Sequence, residues 1–211
     1  MHIPDGFLSP PVWGTCDVVS GTFLIYALRQ VGRRLEEKAI PLMGVLAAFV
    51  FAAQMVNLPI AGGVSGHFLG GALVGILLGP WSGLVLMATV LSVQCFLLQD
   101  GGMAALGANI LNMGILGSWG AYWVWRGVSA LTKSPRGLFW SGFVSAWVTI
   151  VLSSLSCASM LSISRVVAWK LSFSLLGGVH ALLGILEGLV TGTVLTSMSK
   201  VRPDLLERSK I

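Results

Sequence analysis

The sequence predicts an all-α, polytopic membrane protein with about seven transmembrane helices. Of its 211 residues, 55% are hydrophobic and only 10% are charged, and the mean hydropathy is +0.86. Soluble domains carry roughly 25% charged residues, so no separate soluble domain is expected here. The whole chain, 1–211, is therefore interpreted as a single integral-membrane domain in contact with the lipid bilayer.

Seven stretches are candidates for spans, because a transmembrane helix needs about 20 mostly apolar residues. The third stretch is short and is interrupted by Gly79-Pro80, and the segment before it is rich in glycine and is interpreted as an irregular loop over residues 58–67. In chain order, the candidate spans are 12–28, 41–57, 67–78, 81–98, 103–125, 138–163 and 173–198.

Basic residues predict the orientation of these spans. They cluster after the first span, after the fifth span and in the C-terminal tail, which a seven-span topology places on one side of the membrane. The positive-inside rule makes that side cytoplasmic, so the N-terminal segment 1–10 and the loop ending at His67 are expected outside. The net charge of +5 is thus a topology signal and gives no reason to expect nucleic acid as a partner.

The N-terminus lacks the basic start of a signal peptide. The three cysteines sit singly in apolar surroundings, which is typical of buried small side chains; they are Cys16, Cys95 and Cys157.

The first two residues, Met1 and His2, offer three nitrogen donors in a row. With the large His2 in second position, Met1 is expected to be retained and, once deformylated, to present a free amine. A metal bridging that amine and the His2 backbone amide closes a five-membered ring, and the amide with Nδ1 of His2 closes a six-membered ring. A deprotonated amide between two fused rings favours a planar arrangement, which suits Ni(II) or Cu(II) rather than Zn, Mg or Ca. The following Pro-Asp-Gly predicts a stiff turn.

A planar chelate of three nitrogens needs one more donor, and His67 is the candidate. Ser65 is interpreted as the N-cap of the third span, and a helix N-terminus disfavours an imidazolium, so His67 is expected to be neutral and able to ligate. Both ends of this donor set are predicted on the outer face.

Three ionisable residues inside the candidate spans are left without an assigned role: Asp17, His180 and Glu187. The last two lie seven residues apart on one helical face, and such intramembrane groups are functional candidates. One alternative is therefore an intramembrane enzyme that uses His180 and Glu187 as a general acid/base pair. A structural subunit of a membrane complex is another alternative.

Small residues recur at a spacing of four in three places, which lets helix backbones approach closely. Most such ridges pack inside a bundle, but one could face a partner subunit. The three ridges are Gly44/Ala48/Ala52, Gly71/Gly75/Gly79 and Gly184/Gly188/Gly192.

Three stretches, at residues 1–10, 65–72 and 100–114, resemble the CbiM/NikM family, the substrate-binding S components of energy-coupling-factor (ECF) importers for nickel and cobalt. They read MHIPDGFLSP, SGHFLGGA and DGGMAALGANILNMG. The resemblance implies that the Met1 amine, the His2 amide and imidazole, and the His67 imidazole hold Ni²⁺ or Co²⁺ as transported substrate, with no separate cofactor. It also implies a seven-helix fold in the cytoplasmic (inner) membrane of a prokaryote.

The same resemblance implies partners and a mechanism. ATP hydrolysis belongs to two cytoplasmic ATPase subunits, coupled through a transmembrane T subunit, and a small accessory membrane subunit is common in the family. The chain itself is then not an enzyme. The ridge of Gly44, Ala48 and Ala52 resembles the surface through which S components dock on the T subunit.

Overall fold

The computed structural model describes residues 1–34, 37–60, 64–132 and 134–208, and the chain folds mostly into helices. Seven of these helices run in chain order with the following bounds: α1 Pro10–Arg34, α2 Ile40–Met55, α3 Gly71–Leu78, α4 Pro80–Leu98, α5 over 106–131, α6 Pro135–Ile163 and α7 Trp169–Val201. A 3₁₀ turn, Glu37–Ala39, precedes α2, and a short helix α8, Pro203–Arg208, follows α7. Parts of α5 and α7 are π-helical, Ile110–Gly120 and Phe173–Gly177.

Membrane-spanning character is clearest in the second half of the chain. Within the described residues, α4, α6 and α7 are long and apolar enough to cross a bilayer, and α2 is a shorter apolar helix. By contrast, α3 has 8 residues, which rise only about 12 Å. That length is well short of a bilayer core of about 30 Å, so α3 could cross only together with the extended residues before it. The predicted helical fold class is therefore confirmed, while the count of seven spans and the orientation stay predictions.

The segment before α3 differs from its interpretation as an irregular loop. It forms an antiparallel hairpin of β1, Asn57–Ile60, and β2, Val64–His67, with Asn57 opposite His67. Residues 61–63, the centre of the predicted loop, lie outside the described residues, as do Lys133 and Lys210 of the basic clusters. Glycine and proline make this segment a poor helix, as the sequence predicts, but they do not prevent a short two-stranded ribbon.

Two of the three small-residue ridges pack against neighbouring helices. The ridge on α7 faces α6, where a Cβ added at Gly192 would lie 2.7 Å from Phe139 O. On α3, a Cβ added at Gly71 would lie 2.6 Å from Gly117 O, so this backbone also approaches α5 closely. Both ridges therefore serve the internal packing that such spacing usually indicates.

The third ridge, on α2, does not follow that expectation of internal packing. Its three residues, Gly44, Ala48 and Ala52, are all exposed, and a Cβ added at Gly44 would meet nothing within 4 Å. The opposite face of the helix is the buried one, and it carries Leu46, Val50 and Gln54. Small side chains at 44, 48 and 52 are thus not required by the core of this chain.

The three cysteines are buried as free thiols, as predicted from their apolar surroundings. They are Cys16, Cys95 and Cys157.

Candidate metal centre

The N-terminal segment is inserted into the protein rather than frayed. Met1 and Ile3 are completely buried and His2 is 4% exposed. The main chain of Ile3 is clamped by Asn109, whose Oδ1 accepts from Ile3 N at 2.9 Å while its Nδ2 donates to Ile3 O at 3.2 Å. The terminal amine therefore has a defined position inside the molecule.

The predicted turn after Pro4 forms, and it folds the segment back onto the loop before α5. The carboxylate of Asp5 accepts hydrogen bonds from Met103 N at 3.0 Å and Ala104 N at 2.8 Å. A Cβ at Gly102 would collide with Asp5, so only glycine lets the loop approach this closely. The contact holds the N-terminal segment against the loop between α4 and α5.

His67 reaches this segment from the end of β2. Its ring stacks on that of His2, with a centroid distance of 4.7 Å and an interplanar angle of 25°. The prediction that Ser65 caps a helix is wrong, because α3 begins only at Gly71 and Ser65 lies within β2. Instead, Ser65 O accepts a hydrogen bond from the Met1 amine, and Ser65 Oγ lies 3.4 Å from that nitrogen. Strand β2 thus supplies both His67 and a partner for the terminal amine.

Each of the two stacked imidazoles has one ring nitrogen engaged and one without a hydrogen-bond partner. His67 Nδ1 donates to Phe68 O at 2.8 Å, which leaves the buried Nε2 with a free lone pair. His2 Nε2 donates to Gln94 Oε1 at 3.1 Å, and its buried Nδ1 makes no hydrogen bond. Unpartnered buried polar atoms are costly unless a ligand satisfies them. Both nitrogens are therefore suited to bind a metal.

Burial also keeps these nitrogens neutral. It lowers the pKa of the Met1 amine from 8.0 to about 5, and it lowers the pKa of His2 from 6.5 to about 3, with a further contribution from the amine. Burial, and after it the nearby Met1 amine, also lower the pKa of His67 well below its ordinary value. Neutrality thus follows from desolvation and not from a helix N-terminus. At neutral pH all three groups present lone pairs.

One acidic group lies beside the nitrogens. Asp100 Oδ1 is 3.5 Å from His2 Nδ1, and partial burial raises the pKa of Asp100. No group of three or more His, Cys, Asp or Glu side chains suited to a metal occurs within the described ranges. A metal held at this place would therefore need donors other than such a group of side chains.

The candidate docking residues on α2 form no part of this buried centre. Gly44, Ala48 and Ala52 are exposed, whereas the three residues that meet at the N-terminus are buried. Ala52 lies two positions before the buried Gln54, yet it points to the other side of the helix and is left uncovered. The structure thus separates the residues singled out from the sequence into a buried cluster and an exposed stripe, and the docking role of the stripe stays a prediction.

The candidate residues inside the helices have separate partners. Glu187 accepts from Leu69 N and Gly70 N, both at 2.9 Å, whereas His180 Nδ1 donates to Leu176 O at 2.8 Å within its own helix. Asp17 accepts from Gly107 N at 3.0 Å and joins α1 to α5. The described hydrogen bonds thus do not join His180 and Glu187, as an acid/base pair would require.

Two supporting residues were not singled out from the sequence as neighbours of the site. Gln94 orients His2, and Asn109 holds Ile3. Both belong to polar clusters in otherwise apolar stretches near Asp100, and that clustering is the signal that points to them.

Comparisons with known proteins show which family the chain resembles. Residues 2–205 match the CbiM family, described as the cobalt uptake substrate-specific transmembrane region. The chain is 40% identical over 210 residues to a protein of Archaeoglobus fulgidus named as a putative fused nickel transport protein, NikMN, spanning 99% of this chain and 68% of that one. It is 30% identical over 220 residues to the cobalt transport protein CbiM of Sorangium cellulosum, covering 100% of this chain and 96% of the relative.

Two solved structures are similar to the chain in fold. A crystal structure of a transition metal transporter superposes with a TM-score of 0.89 at 27% identity, covering 99% of this chain and 96% of the other. A truncated transition metal transporter gives a TM-score of 0.85 at 28% identity, covering 95% and 99%. The chain belongs to the CbiM family of metal-transport membrane proteins.

Proposed function

We propose that this chain is the substrate-binding membrane subunit of an ECF-type importer for Ni²⁺ or Co²⁺. The observation that carries the proposal is the convergence of the buried Met1 amine with two stacked imidazoles, each of which has an unpartnered nitrogen. The names of the relatives from Archaeoglobus fulgidus and Sorangium cellulosum support nickel and cobalt as the class of substrate.

The proposed ligands are four nitrogens: the Met1 amine, the His2 amide, His2 Nδ1 and His67 Nε2. The His2 amide has no hydrogen-bond partner among the described residues, so its proton can be lost without breaking a contact. Covalent geometry would hold the first three donors in one plane around a metal. The ring of His67 stacks on that of His2, which brings His67 close to this chelate, and we propose its Nε2 as the fourth donor.

This donor set favours some metals over others. Ni(II) is well suited to a square of nitrogen donors, and Cu(II) also tolerates it, whereas Zn(II) prefers a tetrahedral arrangement. Raw affinity orders copper above nickel, so copper must be excluded by its availability in the cell.

Asp100 contributes charge to this centre. A divalent ion bound to one deprotonated amide keeps a net charge of +1, which is costly in a buried site. The carboxylate beside His2 Nδ1 offsets that charge. Without a metal, the lone pair of His2 Nδ1 and the carboxylate of Asp100 repel each other. A cation bound at Nδ1 is attracted to the same carboxylate.

Import requires partners that provide the energy. We assign these roles to a T subunit and two cytoplasmic ATPases, with a small accessory membrane subunit as a further candidate partner. The exposed ridge of Gly44, Ala48 and Ala52 supports docking through α2, because the other two ridges are largely packed against neighbouring helices and this one is not. With the basic loops cytoplasmic, the metal centre faces the outside of an inner membrane.

Metal analysis of the purified chain tests the proposal. Protein with a free Met1 amine is expected to retain about one nickel ion per chain. Acetylation of that amine is expected to remove the metal, because it converts the amine into an amide that binds only after losing its own proton and because the acetyl group has no room around the buried Met1. The control is the same acetylation applied after nickel is bound, which should protect the amine. Stoichiometric nickel in fully acetylated protein would contradict the proposed centre.

A further inference from the structure

Glu187 lies in the interior of α7 and contributes nothing to the proposed ligand set. Its side chain is completely buried, and both of its carboxylate oxygens accept hydrogen bonds from backbone N–H groups. The donors are Leu69 and Gly70, which precede it by more than one hundred positions. Glu187 therefore connects the last long helix to the segment that follows His67.

That segment is a three-residue link, 68–70, between β2 and α3. Gly70 is left-handed with φ of +73°, and no side chain from the link caps α3. Buried N–H groups at such a position need an acceptor, and leaving one unsatisfied costs about 1–3 kcal/mol. Glu187 supplies both acceptors from another helix.

The link is held from the opposite side as well. Gln54, on the buried face of α2, donates to Leu69 O at 2.8 Å. The N–H and the C=O of Leu69 are thus fixed by two different helices, α7 and α2. The carbonyl of Phe68, at the start of the same link, accepts the hydrogen bond that leaves His67 Nε2 free.

We infer that Glu187 is a positioning residue for His67: by fixing the N–H groups of residues 69 and 70, it fixes the Phe68 carbonyl and hence the direction of His67 Nε2. A carboxylate suits this role because two adjacent N–H donors require two acceptor oxygens. Glutamine has the same shape but offers one oxygen and turns an NH₂ group towards the other donor. A metal ligand must be held within about 0.5 Å of its productive position, so the loss of one of these bonds should be felt at the metal.

This inference rests on the proposed function, because it needs His67 to be a ligand. The test is nickel titration of purified Glu187→Gln, with the visible spectrum of the nickel complex as a second readout. We expect affinity to fall by about 10–100-fold, the usual effect of changing a group that orients a metal ligand. The spectrum should shift in the same direction as that of His67→Ala, because both changes weaken the same nitrogen donor.

A double-mutant comparison separates positioning from general stability. In the His67→Ala background, Glu187→Gln should change affinity by less than about twofold, since there is no longer a ligand to position. The matched control is Thr191→Val, which removes a buried hydroxyl one turn further along the same helix; that hydroxyl makes no described hydrogen bond to the link. Its affinity and spectrum should equal those of the unchanged protein.

Several results would overturn the inference. These are an unchanged affinity and spectrum in Glu187→Gln, losses that add to those of His67→Ala, or an equal loss in Thr191→Val. If the glutamine variant does not fold, Glu187→Asp gives the same comparison, because it keeps the carboxylate but withdraws it by one methylene. An unchanged affinity in His67→Ala alone would instead reject the proposed metal centre, so the two failures are distinguishable.

Discussion

His67 and His180 carry the same local chemistry on two different elements, β2 and α7. In each, Nδ1 donates to a backbone carbonyl oxygen at 2.8 Å, and the buried Nε2 has no hydrogen-bond partner. Both interact electrostatically with the Met1 amine, but His67 ends a hairpin strand and stacks on His2, whereas His180 lies within α7. A free imidazole nitrogen thus does not by itself identify a metal ligand. What distinguishes His67 is its place against His2, where the proposed terminal chelate lacks one donor.

Extending the chain by one residue before Met1 should have the largest effect on nickel affinity. The added residue converts the amine into an amide, shifts the chelate, and finds no room because Met1 is completely buried. We expect affinity to fall by roughly a thousandfold or more, which corresponds to about 4 kcal/mol. Isothermal titration of the extended protein measures this loss. If the extended chain binds nickel normally, the Met1 amine is not a ligand. The proposed chelate would then no longer distinguish His67 from His180.

Replacing the two histidines in turn compares them directly. His67→Ala removes a proposed ligand and should weaken nickel binding by roughly a hundredfold or more, beyond what the loss of an orienting group costs. His180→Ala should change nickel affinity by less than about threefold, because it removes no proposed donor. Titration of both purified variants measures the ratio. The reverse order would move the metal to α7.

The pH dependence of binding sharpens the comparison further. Because burial lowers the pKa of the Met1 amine from 8.0 to about 5 and that of His2 from 6.5 to about 3, both groups are in their neutral forms at pH 7. Only the His2 amide proton should then be released, so affinity should fall about tenfold per pH unit between about pH 8 and 6. Below about pH 5 the fall should steepen as the amine takes up a proton.

Calorimetry in buffers of different ionisation enthalpy counts the released protons. About one proton per nickel ion is expected at pH 7. Two would show that the amine is protonated in the free protein, and none would show that the amide is not a ligand.

The smallest effect on binding is expected at the exposed ridge of α2. Ala48→Leu should leave the nickel affinity of the isolated chain unchanged because Ala48 faces outward. It should lower uptake by cells about tenfold or more, since overpacking a helix contact costs about 1–3 kcal/mol. Radioactive nickel uptake measures the second effect. The control is Gly188→Leu on the internal ridge, which should impair folding because an added Cβ already meets Phe143 at 2.7 Å.

The same change one turn along, Ala52→Leu, shows whether the ridge acts as a continuous surface. Ala52 is as exposed as its neighbour on the ridge, so binding of nickel by the isolated chain should again be unchanged while uptake falls. Loss of nickel binding in either variant would mean that this face of α2 is needed for folding. Full uptake by both would show that the ridge is not a docking surface.

The proposed chelate at the terminus follows from the sequence alone because covalent geometry fixes the spacing of its donors. The amine, the amide and Nδ1 belong to two consecutive residues, so no knowledge of the fold is needed to place them near one another. Hydropathy likewise predicts the apolar helices, whose lengths follow from the bilayer.

Other features depend on contacts between distant parts of the chain. The hairpin around residues 57–67 has little intrinsic strand propensity and forms through its tertiary setting. Ordinary pKa values for an amine and a histidine predict the release of more than one proton, and only burial corrects that expectation. The partner of Glu187 is 118 residues away from it, beyond what a helical face can indicate. Spacing alone likewise cannot tell the exposed ridge ending at Ala52 from the two packed ones, because all three have the same period.

The most direct test of the account is the magnetism of the nickel complex, measured on the purified chain and repeated with equimolar zinc. Four nitrogens in a plane predict a diamagnetic, four-coordinate Ni(II) that zinc does not displace, because zinc gains nothing from a planar arrangement. A paramagnetic, six-coordinate nickel, or its ready displacement by zinc, would contradict a centre built from Met1, His2 and His67.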